Sequence, residues 1–202
     1  MTTLKTTLRR SDLMSLEEYA VERPEFRRRV MELKRVRVLP VGPHVTLHFE
    51  NRLTMQYQVQ EMLRVERIFE AEGIDEELAA YNPLIPDGSN FKVTMMIEFA
   101  DPEERAEALA KLLKVEDKAW VRVGDGKRVW AIADEDMERD TEEKTSSVHF
   151  LRLELTPDMV GAAKAGAAIA VGVEHEAYTY SVDPVNEALR ESLVQDLSGG
   201  QS

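Results

Sequence analysis

Glu66 and Glu61 lie in the longest amphipathic run of this chain, and carboxylates placed there are the first candidates for chemistry. On a helical wheel over residues 52–72, at about 100° per residue, Met55, Val59, Met62, Leu63, Val65 and Phe69 form one apolar stripe. Glu66 falls near the middle of that stripe and Gln58 falls within it. A carboxylate on an apolar face must be ion-paired, hydrogen-bonded, protonated or ligand-bound. Arg23, Arg52 and Arg64 are available to pair it. Unpaired, Glu66 is a candidate acid/base or ligand group, and a shifted packing face would leave it exposed. Glu61 and Arg64 sit on the polar side, where they support the helix at i,i+3 spacing. With the strand–helix junction before them, these residues define a candidate polar pocket: Glu50, Arg52, Gln60, Glu61, Arg64 and Glu66. In such a pocket an arginine clamps an anion and a carboxylate moves a proton.

Histidine offers less. His44 and His48 share one face of a predicted strand with Thr46 and Glu50. Two His and one Glu are metal-ligand types. Same-face neighbours on a strand are about 6–7 Å apart, and His44 lies two such steps from His48, too far for one ion on an extended strand. His175 sits between Glu174 and Glu176 near a strand end, a pattern that surface polarity explains equally well. Cysteine is absent, which excludes disulfides, a thiol nucleophile, thiol redox chemistry and a cysteine-ligated zinc or iron–sulfur centre. Phosphate-cradling, GxSxG, HExxH and ExxH patterns are missing. Aromatic residues make up 6% of the chain, too few for a base-stacking platform. No metal or cofactor is expected.

The 202 residues carry a net charge of −12, which argues against DNA binding. The charge is segregated: residues 1–40 carry +4 and the remainder −16. The basic residues 23–37 could form a solvated helix face or an RNA-binding module. The acidic run at 134–140 lacks the glycine and spaced ligands of a calcium loop. No apolar run is long enough to cross a bilayer and no signal peptide opens the chain, so a cytoplasmic protein without membrane partners is expected.

The elements that would position these residues follow from caps and periodicity. Residues 1–14 read as a flexible lead-in. Ser15 and Glu18 form a capping box, with a short helix to Pro24 and a second from Pro24 to about Arg37. Pro40, Gly42 and Pro43 mark a turn before a strand at 44–50. The helix at 52–72, capped by Asn51 and closed by Gly73, precedes another at 74–81. Further expectations are strands at 90–99, 118–123, 127–133, 146–155 and 167–174. Helices are expected after Asp101-Pro102 and after Thr156-Pro157, and a last one at 184–197 capped by Asp183. Gly124-Asp125-Gly126 signals a hairpin, and 198–202 a disordered tail. A single α+β domain over 15–197 results: helix-rich at 15–82, strand-rich at 90–181, its helical N-terminal part packed on a mostly antiparallel sheet.

The blocks Arg23-Pro24-Glu25-Phe26-Arg27, Val41-Gly42-Pro43-His44-Val45-Thr46-Leu47-His48-Phe49-Glu50-Asn51-Arg52 and Gln58-Val59-Gln60-Glu61-Met62-Leu63-Arg64-Val65-Glu66 form one pattern. Tyr81-Asn82-Pro83-Leu84-Ile85-Pro86, Thr145-Ser146-Ser147-Val148-His149-Phe150-Leu151-Arg152 and Val173-Glu174-His175-Glu176-Ala177-Tyr178 continue it. Over about 15–195 the chain resembles a bacterial family catalogued as domain of unknown function 3501. Glu176 departs from that pattern, which has proline there. Arg23, Asn82, His175 and Tyr178 fall in these blocks and stand as further candidates. The resemblance implies a gene neighbourhood with a rubrerythrin-like protein and a heterodisulfide-reductase-like iron–sulfur protein, and hence peroxide or redox metabolism. An accessory or interaction protein docking on those partners is the leading expectation, and the segregated charge suits it. A small-molecule enzyme using the Arg/Glu pocket and an RNA-binding module are the alternatives. Met55, Met62 and Phe69 pack within the chain or against a twin subunit.

Overall fold

Ser15 starts the first helix by the expected reciprocal cap. Its hydroxyl accepts the Glu18 N–H at 3.2 Å, and the Glu18 carboxylate accepts the Ser15 N–H at 2.9 Å. The computed structural model describes residues 5–133 and 145–198. From this cap α1 (Leu16–Val36) runs unbroken through Pro24, where two helices were expected. An internal proline costs a helix about 3 kcal/mol. Here one buried stripe continues on both sides of it: Tyr19, Phe26 and Val30 pack with Tyr57 of the next long helix. The ring centroids of Tyr19 and Phe26 are 6.1 Å apart, and those of Phe26 and Tyr57 6.2 Å. Burial of that stripe holds the helix together.

After Arg37 the chain enters β1 (Val38–Val41), a strand not expected from the sequence, and returns as β2 (Val45–Glu50). Pro40 is tolerated because β1 is an edge of its sheet. Asn51 caps α2 (Arg52–Glu66), its side chain accepting the Thr54 N–H at 3.0 Å. This helix stops six residues before the expected position. Arg67 takes a left-handed conformation, φ 55°, and the Ile68 N–H bonds back to the Leu63 carbonyl at 3.0 Å. Gly73 is no terminator: it lies inside α3 (Ala71–Tyr81) and makes room for Ile68, whose Cγ2 would be 2.7 Å from a Cβ there. Leu8, Met55, Val59, Leu63, Leu78 and Ile85 form the core of this helical part.

β3 (Asn90–Ile97) leads to α4 (Pro102–Lys111), capped by Asp101 as expected. β4 (Ala119–Val123) turns through Gly124-Asp125-Gly126 into β5 (Val129–Trp130) and then β6 (Ile132–Ala133). The expected single strand at 127–133 divides between two sheets at Ala131. β7 (Val148–Glu154), α5 (Pro157–Lys164), β8 (Ile169–His175), β9 (Tyr178–Val182) and α6 (Glu187–Val194) complete the described chain. α6 begins after Asn186, whose side chain accepts the Leu189 N–H at 2.9 Å. Asp183, expected as the cap, instead pairs with Arg122 at 2.5 Å. The acidic run at 134–140 and tail residues 199–202 lie outside the described residues.

The fold is α+β with two antiparallel sheets, ordered β1-β2-β3-β7-β6 and β5-β4-β8-β9. Their inner faces enclose the main core. Val45, Leu47, Phe49, Val93, Met95 and Leu151 come from the first sheet. Val121, Ile169, Val171 and Val173 come from the second, and Leu189 and Leu193 of α6 from its flank. Among the described residues no helix is long and apolar enough to cross a membrane.

Candidate functional site

The polar helix positions do not converge on one pocket. Glu61 is the carboxylate that meets arginine, on the α1–α2 seam. Arg23 reaches it with Nε at 2.7 Å and Nη2 at 2.9 Å, a bidentate fork. The Tyr19 hydroxyl donates to it at 2.7 Å and Arg64 Nη2 at 3.3 Å. The Arg23 fork is the main reason the Glu61 carboxyl is held down at about 2, with Tyr19 and Arg64 adding to it against the effect of burial. Burial first, then the bond to Glu61, raises the Tyr19 phenol. Glu66, the residue expected on the apolar stripe, is exposed, as are Val65 at 58% and Phe69 at 64%. Met55, Val59 and Leu63 of that stripe are buried, and only its C-terminal end, where α2 stops, lies outside the packing; the pairing expected for Glu66 falls to Glu61.

Three other pocket candidates are spent separately. Glu50 is buried and accepts the Thr54 and Thr94 hydroxyls at 2.6 and 2.9 Å. Arg52 lies 2.9 Å from Asp12. Gln60 is fully buried and clasps Met14, accepting its N–H at 2.7 Å and donating to its carbonyl at 3.4 Å. Asn82 clasps Leu8 in the same manner, at 2.7 and 3.0 Å. Residues 5–14, expected as a flexible lead-in, are thus tied to the helical part, with Leu8 at 3% exposure. His175 donates from Nε2 to the Leu113 carbonyl at 3.1 Å, the tautomer fixed by the Ala177 N–H on Nδ1. The Tyr178 hydroxyl donates to the Val41 carbonyl at 2.7 Å and accepts the His44 and Val45 N–H groups at 3.0 Å each. It closes the sandwich corner between β9 and the β1–β2 turn.

The other sequence candidates are also placed. The His44 ring stacks on Phe99, 3.9 Å between centroids. His48 is half-buried, and burial lowers its pKa. No group of three or more His, Asp or Glu that could hold a metal occurs among the described residues. Within the basic stretch, Arg28 pairs with Glu25 and Glu32, and Arg37 is 2% exposed. Arg37 binds Asp196 and the carbonyls of Phe49, Glu50 and Ser192, joining the end of α1 to α6. Arg27, Arg29 and Arg35 remain exposed on α1.

The outer face of the second sheet carries a constellation that the sequence reading missed. Trp120 and Trp130 are cross-strand partners on β4 and β5. Trp120 is 3% exposed because it lies flat on Gly172 of β8, where a Cβ would fall 2.5 Å from its ring. The Arg128 guanidinium lies over the ring, 4.1 Å from its centroid, and is ion-paired to Glu174. Trp120, Arg128, Val173, Glu174, Thr179, Tyr180 and Ser181 line a cavity of about 320 Å³. Trp130 is 43% exposed on this face, whereas Tyr180, the cross-strand partner of the core residue Val173, faces Gly42 of the β1–β2 turn and the Tyr178 ring. The signal was available: Trp120 and Trp130 are equidistant from Asp125, the centre of the hairpin turn, so pairing them follows from the hairpin itself.

The family described as "Protein of unknown function (DUF3501)" matches residues 7–197. A crystal structure of a protein of unknown function from Burkholderia pseudomallei K96243 is similar to this chain at 46% identity and a TM-score of 0.89. The match covers 95% of this chain and 100% of that one. No curated protein matches.

Proposed function

Since the chain belongs to this DUF3501 family, we propose that it is an accessory, partner-binding protein of a redox or peroxide-metabolism system, docking through the outer face of its second sheet. The observation that carries this is the exposed Trp130, cross-strand partner of Trp120, beside the positioned Arg128. Tryptophan and arginine are among the residue types that concentrate binding energy at protein interfaces. Arg128 is held in place by Trp120 and Glu174, so little side-chain entropy is lost when a partner meets it. The family resemblance supports a rubrerythrin-like protein and an iron–sulfur oxidoreductase as the partners, and the cysteine-free composition suits the cytoplasm. Of the Arg/Glu pocket candidates, Glu61 and Arg64 are bonded to each other, while Glu50, Arg52 and Gln60 have separate partners among the described residues, an arrangement that favours the docking reading.

The test is retention of each purified partner on the immobilised full chain at low ionic strength. Retention that falls at least tenfold in a Trp130→Ala/Arg128→Ala variant is the expected result. Failure to retain either partner, or retention unchanged in that variant, overturns the proposal.

A further inference from the structure

We infer that the cavity beside Trp120 is a binding site for a small zwitterion of the α-amino-acid type, its carboxylate on Arg128 and its ammonium on Glu174. The inference rests on the docking proposal only for its location, since the cavity opens on the same face.

The argument starts from which polar atoms are spent. Arg128 donates through Nη1 to Glu174 Oε2. Its Nε and Nη2 have no acceptor among the described residues, and these two groups form the edge of the guanidinium that matches a carboxylate bidentately. Glu174 Oε1 has no donor among the described residues. Thr179 Oγ1 donates to the His175 carbonyl at 2.9 Å, which leaves its lone pairs to accept. The Ser181 hydroxyl, also on the cavity wall, has no partner among the described residues.

The charges then select the ligand. Arg128 and Glu174 cancel, so the cavity is formally neutral while its wall carries one cationic and one anionic group joined through Nη1. A simple anion on Arg128 meets the Glu174 charge, and a simple cation on Glu174 meets Arg128. A molecule carrying both charges two bonds apart meets both groups with the right sign. A cavity of about 320 Å³ is at the lower end of small-molecule sites, which fits a ligand of this size. Trp120 fixes the guanidinium plane from below, so the fork is formed before the ligand arrives.

The chain has two tryptophans and both lie at this face, so indole N–H resonances of the labelled full-length protein report on it directly. The probes are L-alanine, propionate, which lacks the ammonium, and ethylammonium, which lacks the carboxylate. L-Alanine is expected to shift the Trp120 resonance at a concentration at least tenfold below either fragment. Arg128→Gln is expected to abolish the response, and Glu174→Gln to reduce L-alanine to the level of propionate. Arg128→Lys, which keeps the charge and loses the fork, guards against a merely structural effect and is expected to weaken binding at least tenfold. Equal responses to all three probes, no response, or a response that survives Arg128→Gln overturns the inference. Partner retention on this face without an L-alanine response would sink the ligand site and leave the docking proposal standing.

Discussion

Glu61→Gln removes the charge on which three donors converge while keeping the side chain's size and one acceptor oxygen. The folded-state carboxyl is held at about 2, against an ordinary value of 4.5. That gap, at about 1.4 kcal/mol per pH unit, is worth about 3 kcal/mol at neutral pH. The Glu61 side chain is 17% exposed and Arg23 33%, and solvent screening brings the expected loss down to about 2 kcal/mol. In a chain of this size the loss lowers Tm by roughly 4–8 °C. The sign with pH follows from the direction of the shift. A depressed carboxyl stabilises the fold fully above about 4.5, and the contribution disappears as pH falls towards 2. Urea unfolding of wild type and variant from pH 7 to pH 2.5 therefore gives a stability difference that shrinks in that window. Asp196, whose carboxyl is raised by burial, has the opposite dependence, but it is common to both proteins and cancels in the difference. A difference below about 0.5 kcal/mol at pH 7, or curves that stay parallel to pH 2.5, refutes the reasoning that the Arg23 fork holds α1 to α2.

Three further outcomes test the same structure. Arg37→Met leaves Asp196 and three carbonyls without their buried donor, and is expected to cost about 3–5 kcal/mol in denaturant unfolding; a cost near zero would mean that α6 is not anchored through this residue. Gly172→Ala places a Cβ 2.5 Å from the Trp120 ring, so about 1–3 kcal/mol of overpacking and a changed near-ultraviolet dichroism of the indoles are expected; an unaltered spectrum counts against the flat seat for Trp120. Tyr178→Phe deletes the hydroxyl that serves Val41, His44 and Val45, with an expected loss of about 1–3 kcal/mol, read by thermal unfolding; wild-type stability would show that the corner closes without it.

Local signals in the sequence located the elements well. The Ser15 box, the Asn51 cap, Asp101-Pro102 and Thr156-Pro157 each start a helix where the residue chemistry places it, because a cap is satisfied within four residues. Errors arose where a distant contact outweighs a local preference. Pro24 did not break α1, because Tyr19 on one side of it and Phe26 and Val30 on the other share one packing face. Gly73 did not end α2: that helix stops at Glu66 with Arg67 left-handed, and Gly73 lies inside α3 against Ile68. Residues 127–133 could not be seen to split, since β5 pairs with Trp120 and Val121 while β6 pairs with Leu151 and Arg152 across the sandwich.

The candidate site shows the same division more sharply. Gln60 is a candidate from the strand–helix block and Asn82 from the family pattern, and both are engaged, but by the backbone of Met14 and Leu8. A primary amide offers one donor and one acceptor whether it meets a ligand or a peptide unit, so side-chain type cannot distinguish a binding residue from a clasp. Tyr178 and His175 follow the same rule: each satisfies main-chain groups that would otherwise be left unpaired at a sheet edge or a turn. What separates them from Arg128 and Glu174 is the balance of used and unused atoms. The clasping amides spend both groups inside the fold, whereas Arg128 and Glu174 spend one bond on each other and line a cavity. That balance depends on which strands lie next to one another, and it becomes readable once the Gly124-Asp125-Gly126 hairpin sets Trp120 against Trp130 and β8 brings Gly172 beneath the ring.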